Sequence, residues 1–228
     1  MYVADFKKHN IFVIEPGETT SKLYFNSERF NQPNDLAIAE DGTLYASDPQ
    51  FPNTGQIWRI VRGADGKGVG EVMAMPAERP RAGVTNGIDL SPDGTTLYVS
   101  ESNTREVWAY GLEGTKLTAL RRLKRFPRFE LDGLRTDVAG RIFVTRPSNG
   151  TVAILVPSAD RASEATLLQE VTLLGKEPTN LTFGGPDGRS VFVTQKQGRF
   201  IETFRTDKPG REPCLQVKPA ERAVSGKC

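Results

Sequence analysis

The first clear pattern along the chain is a pair of short apolar strands joined by a polar turn. In "NQPNDLAIAEDGTLYASDP", residues 31–49, apolar and polar positions alternate on both sides of an Asp-Gly dipeptide. Alternation with a period of two is typical of a half-buried β-strand, and Asp-Gly between two such runs is typical of a hairpin turn. The pattern therefore predicts a β-hairpin whose first strand is preceded by Asn34 and Asp35.

The same hairpin pattern occurs three more times. The copies are "TNGIDLSPDGTTLYVSES" from Thr85, "LDGLRTDVAGRIFVTR" from Leu131 and "TNLTFGGPDGRSVFVTQ" from Thr179. A third apolar strand follows each copy, and a fourth is usually visible. The end of "DRASEATLLQEV" is assigned to such an outer strand rather than to a helix. Four antiparallel strands in a repeat of roughly 40 to 50 residues are typical of a β-propeller blade.

The chain is therefore predicted to form one all-β propeller domain over residues 1–228. The predicted units are a partial blade at 1–26, blades at 33–79, 84–127, 130–175 and 178–207, and a C-terminal tail at 208–228. The opening "MYVADFKKHNIFVIEPG" matches the second half of a unit, so we expect about four and three-quarter blades and an incomplete N-terminus. The alternative is a five-bladed ring in which "CLQVKPAERAV" supplies the missing inner strand.

Composition and charge narrow the class of protein. Hydrophobic residues make up 37% and charged residues 25%, as in ordinary soluble globular proteins. A net charge of +2 gives no field that favours nucleic acid or a membrane, and no apolar run has the length of a membrane-spanning helix. No signal-peptide pattern follows Met1. Cys214 and Cys228 could pair, but two cysteines are no disulfide framework; compartment and oligomeric state stay open.

Polar residues at equivalent strand starts are the candidate site. The innermost strand of each blade runs along the central channel, so equivalent starts are expected to converge. The repeats supply Asn34, Asn86 and Asp132, with Asn180 as a fourth candidate. Asn and Asp are common turn residues in their own right. Because amide and carboxylate oxygens suit hard cations, four equivalent positions of this type favour a Ca²⁺ site.

These repeats, with the closing "TDKPGREPCLQ", closely resemble the senescence marker protein, gluconolactonase and luciferin-regenerating enzyme family over nearly the whole chain. The resemblance implies a six-bladed propeller with a catalytic divalent metal in the channel, usually Ca²⁺, with Zn²⁺, Mn²⁺ or Mg²⁺ as other candidates. It implies that Asn34, Asn86 and Asp132 are metal ligands and that Asp132 is also the catalytic carboxylate. The family's glutamate ligand, in a Glu-Gly-Pro segment, has no counterpart in this sequence.

Other candidate residues carry weaker signals. Asp48 and Glu101 end predicted second strands, where they could contact substrate or cap the strands; Asn180 is a third weak candidate for substrate binding. His9 is the only histidine and falls in a predicted loop. Since no serine lies in a nucleophile elbow, a Ser-His-Asp mechanism has little support.

The sequence therefore predicts a metal-dependent hydrolase of a small lactone, such as a sugar lactone. A cation would polarise the carbonyl and bind the attacking water, and Asp132 would take the proton of that water. Phosphotriester or fluorophosphate hydrolysis is a lesser variant. The alternative from another class is a non-catalytic propeller that binds a partner or ligand, which the missing glutamate favours.

Overall fold

The computed structural model describes residues 1–160 and 163–215, and antiparallel strands dominate these residues. They form five consecutive sheets of three, four, four, four and three strands, called blades 1 to 5 below. Blade 1 contains β1 (Tyr2–Asp5), β2 (Asn10–Val13) and β3 (Lys22–Asn26). Blade 2 contains β4 (Leu36–Ile38), β5 (Leu44–Gln50), β6 (Thr54–Arg62) and β7 (Gly68–Val72).

The remaining blades follow the same order from the innermost strand outward. Blade 3 contains β8 (Thr85–Leu90), β9 (Thr96–Glu101), β10 (Glu106–Glu113) and β11 (Lys116–Arg125). Blade 4 contains β12 (Leu134–Thr136), β13 (Ile142–Arg146), β14 (Thr151–Val156) and β15 (Thr166–Thr172). Blade 5 contains β16 (Pro178–Gly184), β17 (Ser190–Gln195) and β18 (Ile201–Arg205), and is followed by the short helix α1 (Arg211–Leu215).

The prediction of an all-β propeller is confirmed, and the arrangement contains five blades. The strand β15 also confirms the outer strand expected after residue 160. The six-bladed architecture stays a prediction. Of the segment "CLQVKPAERAV", residues 216–224 lie outside the described residues, as does Cys228, so neither the five-bladed ring nor the cysteine pairing is tested.

The predicted hairpin turns are present in blades 2 to 5. Gly42, Gly94, Gly140 and Gly188 occupy them with φ between 67° and 85°. Glycine adopts this left-handed region without the steric cost that a β-carbon imposes, and each glycine follows Asp or Ala in the sequence. The turns define one end of each inner strand.

The hydrophobic core consists of four clusters, one between each pair of successive blades. Trp58 lies in the cluster between blades 1 and 2, Tyr110 between blades 2 and 3, and Phe143 between blades 4 and 5. Leu134 lies in the cluster between blades 3 and 4. Each such side chain stabilises the fold by about 1.5–3 kcal/mol when it leaves water.

The inner strands approach each other closely around the channel. The Gly87 N–H donates to the Asp132 carbonyl at 3.1 Å, and the Gly133 N–H donates to the Thr179 carbonyl at 2.8 Å. A β-carbon on Gly87 would lie 2.3 Å from the Leu134 nitrogen. Only glycine therefore lets the backbones of adjacent blades come this close.

The two ends of the channel differ. We call the end where the inner strands begin the near mouth, and the end at the hairpin turns the far mouth. Residues 207–215 cross the far mouth: the Val138 N–H donates to the Pro209 carbonyl at 3.0 Å, and Arg211 donates to Asp89 at 2.6 Å and to the Ile38 carbonyl at 3.1 Å. No helix in the described part of the chain is long and apolar enough to span a membrane.

Candidate metal centre at the near mouth

The inner strands carry the candidate ligands at the near mouth. Each is fixed by its own blade, because the Asn34 N–H donates to the Ser47 carbonyl at 2.9 Å and the Asp132 N–H donates to the Thr145 carbonyl at 3.1 Å. Asn86 lies within β8. The second strands therefore hold the backbones of these residues, and these backbone hydrogen bonds do not involve the side chains.

Asn86 is the most telling of the candidate ligands. Its side chain is 7% exposed, and its Nδ2 donates to Ser102 Oγ at 3.0 Å. Ser102 Oγ in turn donates to the Leu131 carbonyl at 2.7 Å, which fixes the orientation of the amide. Asn86 Oδ1 is buried and has no hydrogen-bond partner in the described residues. A buried acceptor without a donor is costly, and a cation would satisfy it.

Asp132 lies beside Asn86 and is electrostatically unsatisfied. Burial first and the nearby Asp35 carboxylate second raise the pKa of its carboxyl to about 7, whereas a side-chain hydrogen bond with Asn86 and the charge of Lys196 act to lower it. Within the described chain no Lys or Arg forms an ion pair with Asp132. The structure therefore brings Asn86 and Asp132 into hydrogen-bond contact, and Asp132 has no ion pair among the described residues; that these two residues bind a cation stays a prediction.

Asn34 borders the same channel from blade 2. It lines a cavity of about 860 Å³ together with Asp35, Arg135, Thr182 and Glu212. Its side chain makes no hydrogen bond with the described residues, so its amide oxygen is also available. Convergence of Asn34 with Asn86 and Asp132 on one point stays a prediction.

Asn180 does not occupy the position that the sequence repeats suggest. Between blades 3 and 4, the candidate ligand Asp132 accepts the hydrogen bond that joins the inner strands, from the Gly87 N–H. Between blades 4 and 5, the corresponding bond runs from the Gly133 N–H to the Thr179 carbonyl and not to Asn180. Thr179 is therefore the equivalent of Asp132, and Asn180 is the equivalent of Gly133. The cause is one additional residue before the turn of blade 5, because Gly188 follows Leu181 by seven positions, whereas Gly140 follows the equivalent Leu134 by six.

The floor of the near mouth is an ion pair that crosses the channel. The Asp35 side chain, 5% exposed, accepts from Arg135 Nη1 at 2.7 Å and from Arg135 Nη2 at 2.8 Å. It also accepts from Asn180 Nδ2 and from the Ile88 N–H, both at 3.3 Å. Asp35 thus ties blade 2 to blades 3, 4 and 5, directly below the candidate ligands.

Asp48 makes a set of contacts different from those of Asp132. Its carboxylate is fully buried and accepts from the backbone N–H groups of Asn31 and Gln32, from Gln56 Nε2 at 2.7 Å and from Trp58 Nε1 at 3.1 Å. These bonds hold the loop that leads into β4. They favour a structural role, and contact with substrate stays a prediction.

Glu101 is also fully buried and fully paired. It accepts from Arg79 Nη1 and Nη2, both at 2.7 Å, and from Thr104 Oγ1 at 2.9 Å. The Arg79 guanidinium stacks on Trp108 at 4.1 Å and donates to the Tyr110 hydroxyl at 2.9 Å. This bidentate pair fixes the loop before β8, so a role of Glu101 in substrate binding likewise stays a prediction.

The donor set at the near mouth fits a hard divalent cation of the Ca²⁺ type. It offers one carboxylate and neutral amide oxygens, of which Asn86 Oδ1 is buried and unpartnered. In the described residues no three His, Cys, Asp or Glu side chains come together, so a cation here would depend on asparagine.

Comparisons with known proteins place this geometry in context. A family model described as "SMP-30/Gluconolactonase/LRE-like region" matches residues 2–197. A gluconolactonase of Zymomonas mobilis subsp. mobilis is 29% identical over 180 aligned positions, and the match covers 70% of this chain and 49% of that protein. A 6-deoxy-6-sulfogluconolactonase of Pseudomonas putida is 29% identical over 161 aligned positions, and the match covers 68% of this chain and 49% of that protein. The chain spans about half the length of these curated relatives.

Solved structures share the fold. Regucalcin of Agrobacterium tumefaciens strain C58, a calcium-binding protein, superimposes with a TM-score of 0.65 at 19% identity. The match covers 90% of this chain and 71% of that chain. At this identity the likeness shows the propeller fold alone.

Proposed function

Because the chain belongs to the SMP-30/gluconolactonase/LRE-like family, we propose that it hydrolyses a small lactone, such as a sugar lactone, with the help of a divalent cation. The proposal rests on two side-chain groups at the near mouth. A buried amide oxygen without a donor and a carboxylate without a cationic partner lie side by side there. The lactonase names of the two relatives agree with this substrate class.

In this proposal Asn34 and Asn86 hold the cation through neutral amide oxygens, and Asp132 holds it through its carboxylate. A divalent cation supplies Lewis acidity at the lactone carbonyl and acidifies a nearby water molecule. Ca²⁺ is our first choice because the ligands are oxygen atoms; Zn²⁺, Mn²⁺ and Mg²⁺ are the other candidates.

The chain's own residues then carry out the proton chemistry. Asp132 accepts the proton of the attacking water and returns a proton to the departing ring oxygen. The bond between Asn86 Nδ2 and Ser102 keeps the amide oxygen turned into the channel. The Asp35–Arg135 pair spans the channel from blade 2 to blade 4 beside these groups and keeps Asn34 and Asp132 in fixed blades.

We further propose that the five blades belong to a six-bladed ring. The support is the composition of blade 1, whose first strand, β1, corresponds to the second strand of the other blades. A further acidic ligand, as the family resemblance implies, would then come from a part of the protein that the described residues do not include.

Two measurements test the proposed function. Calorimetry with Ca²⁺, Zn²⁺, Mn²⁺ and Mg²⁺ should show one site, and chelator should abolish hydrolysis of at least one aldonolactone. Binding of none of the four cations would contradict the metal proposal. Cation binding with no hydrolysis of lactones, and none of phosphotriesters or fluorophosphates, would instead support the non-catalytic binding propeller.

A further inference from the structure

Asp35 and Arg135 place a second pair of opposite charges next to the candidate metal centre. Asp35 directly follows Asn34, and Arg135 lies three residues after Asp132. Both of the terminal Arg135 nitrogens bond to the two Asp35 oxygens, at 2.7 and 2.8 Å. Both side chains are largely buried, at 12% and 5% exposure, so the charges are screened little by solvent.

The charge on Asp35 acts on the candidate ligands. Asp35 directly follows Asn34, and its carboxylate accepts at 3.3 Å from the N–H of Ile88, two residues after Asn86, so its charge lies close to the candidate ligands of blades 2 and 3. The net charge near a bound cation therefore depends on whether the Asp35 carboxylate is paired with a positive charge. Arg135 Nε also lies 3.9 Å from Glu212 Oε2, so this one guanidinium faces two carboxylates, of which Asp35 is the one that it bonds at both terminal nitrogens.

We propose that Arg135 sets the cation affinity of the near mouth by cancelling the charge of Asp35. The inference rests on the proposed metal centre and adds to it an affinity-determining residue that does not contact the cation. With Arg135 present, a cation meets one negative charge fewer than it would without it, which keeps its binding moderate and leaves it electrophilic toward a carbonyl oxygen.

The competing role for the pair is purely mechanical. Asp35 joins four blades, so the pair could serve only to align Asn34 with Asn86 and Asp132. In that case any disruption, including loss of both charges, weakens cation binding. A charge role predicts instead that the affinity changes in opposite directions when one partner or the other is neutralised.

The test is calorimetric Ca²⁺ binding to four proteins in mildly alkaline buffer, which keeps carboxyl groups ionised. The four are the wild type, Arg135→Gln, Asp35→Asn and the double variant Asp35→Asn/Arg135→Gln. We expect Arg135→Gln to bind about tenfold tighter and Asp35→Asn about tenfold weaker, as one charge at several ångströms implies. The double variant should return to within about threefold of the wild type.

A matched control removes an arginine charge elsewhere. Arg141 pairs with Asp137 and Asp207 at the hairpin turn of blade 4, at the far mouth. Arg141→Gln should leave Ca²⁺ affinity unchanged.

The outcomes separate the two proposals. A wild type that binds no cation overturns the proposed metal centre. A wild type that binds Ca²⁺, while all three Asp35 and Arg135 variants bind more weakly, overturns the charge role and leaves the metal centre standing. If Arg135→Gln fails to fold, Asp35→Asn and the double variant still decide, because only the charge role restores affinity in the double variant.

Discussion

Asp132, which is half-buried, and Glu101, which is fully buried, are carboxylates near the same mouth of the channel, but their surroundings differ. Glu101 accepts two hydrogen bonds from Arg79 and one from Thr104, so its charge is balanced within the protein. Asp132 has Asn86 beside it and a second carboxylate, Asp35, nearby. Proteins bury unpaired charge at a cost, so an acid without an ion pair beside an unpartnered amide oxygen favours a cation site more strongly than acidity alone.

The largest effect should come from breaking the ion pair between Arg79 and Glu101. Arg79→Met removes the partner of Glu101 and keeps most of the apolar contact with Trp108. Leaving a buried carboxylate unpaired should cost about 3–5 kcal/mol of unfolding free energy. Urea unfolding measures this loss, and folded Arg79→Met should keep the cation affinity of the wild type. A change in affinity with unaltered stability would assign Glu101 to the site.

The lack of an ion pair at Asp132 should be visible in how the stability of the cation-free protein depends on pH. Because the folded pKa of Asp132 is about 7 and its ordinary value is 3.8, the folded state keeps a proton that the unfolded state has released. Stability should therefore fall as pH rises from about 4 to 7, by roughly 1.4 kcal/mol for each unit of pKa difference. Unfolding of chelator-treated protein measures this. In Asp132→Asn the corresponding fall should disappear.

Activity should respond to the same residue. Asp132→Asn is nearly isosteric and removes the proposed base, so lactone hydrolysis should fall by ~10² or more. Stability without a cation should not fall, since the charge that is removed is unpaired. Steady-state rates with saturating Ca²⁺ and parallel melting curves provide the measurement. Near-wild-type rates would remove Asp132 from the mechanism.

The smallest effect on activity should come from neutralising Asp48, an acid that already accepts several hydrogen bonds within the protein. Asp48→Asn removes a charge that accepts bonds from Gln56, Trp58 and two backbone N–H groups. It should cost about 1–3 kcal/mol of stability and leave hydrolysis by the folded enzyme close to wild type. A large fall in rate without loss of stability would restore Asp48 as a substrate ligand.

The fold was predictable because its signal repeats. Four Asp-Gly or Ala-Gly turns between alternating strands specify four hairpins, and the positive φ of Gly42 and its equivalents is what those dipeptides permit. The pairing of Asn86 with Asp132 followed from the same repeats. Asn180 was misplaced because counting back from the turn glycine ignores the additional residue that blade 5 has between Leu181 and Gly188.

The floor of the site could not be found in this way. Asp35 and Arg135 are 100 residues apart, and each reads as one charged residue in a short strand, which is typical of a solvent-facing position. Only the arrangement of blades brings them together. The available signal was indirect: Asp35 stands where two other repeats have Gly87 and Gly133.

The crossing of the far mouth by residues 207–215 has a consequence for how the protein is made. Asp89 is buried in blade 3, and its partner Arg211 comes 122 residues later in the chain. At about 5–20 residues per second, a ribosome needs roughly 6–24 seconds to add that stretch. Throughout this interval the Asp89 carboxylate lacks its guanidinium, so blade 3 cannot reach its final packing while the later blades are being synthesised. The segment 207–215 therefore completes the far mouth only after all five described blades have been synthesised.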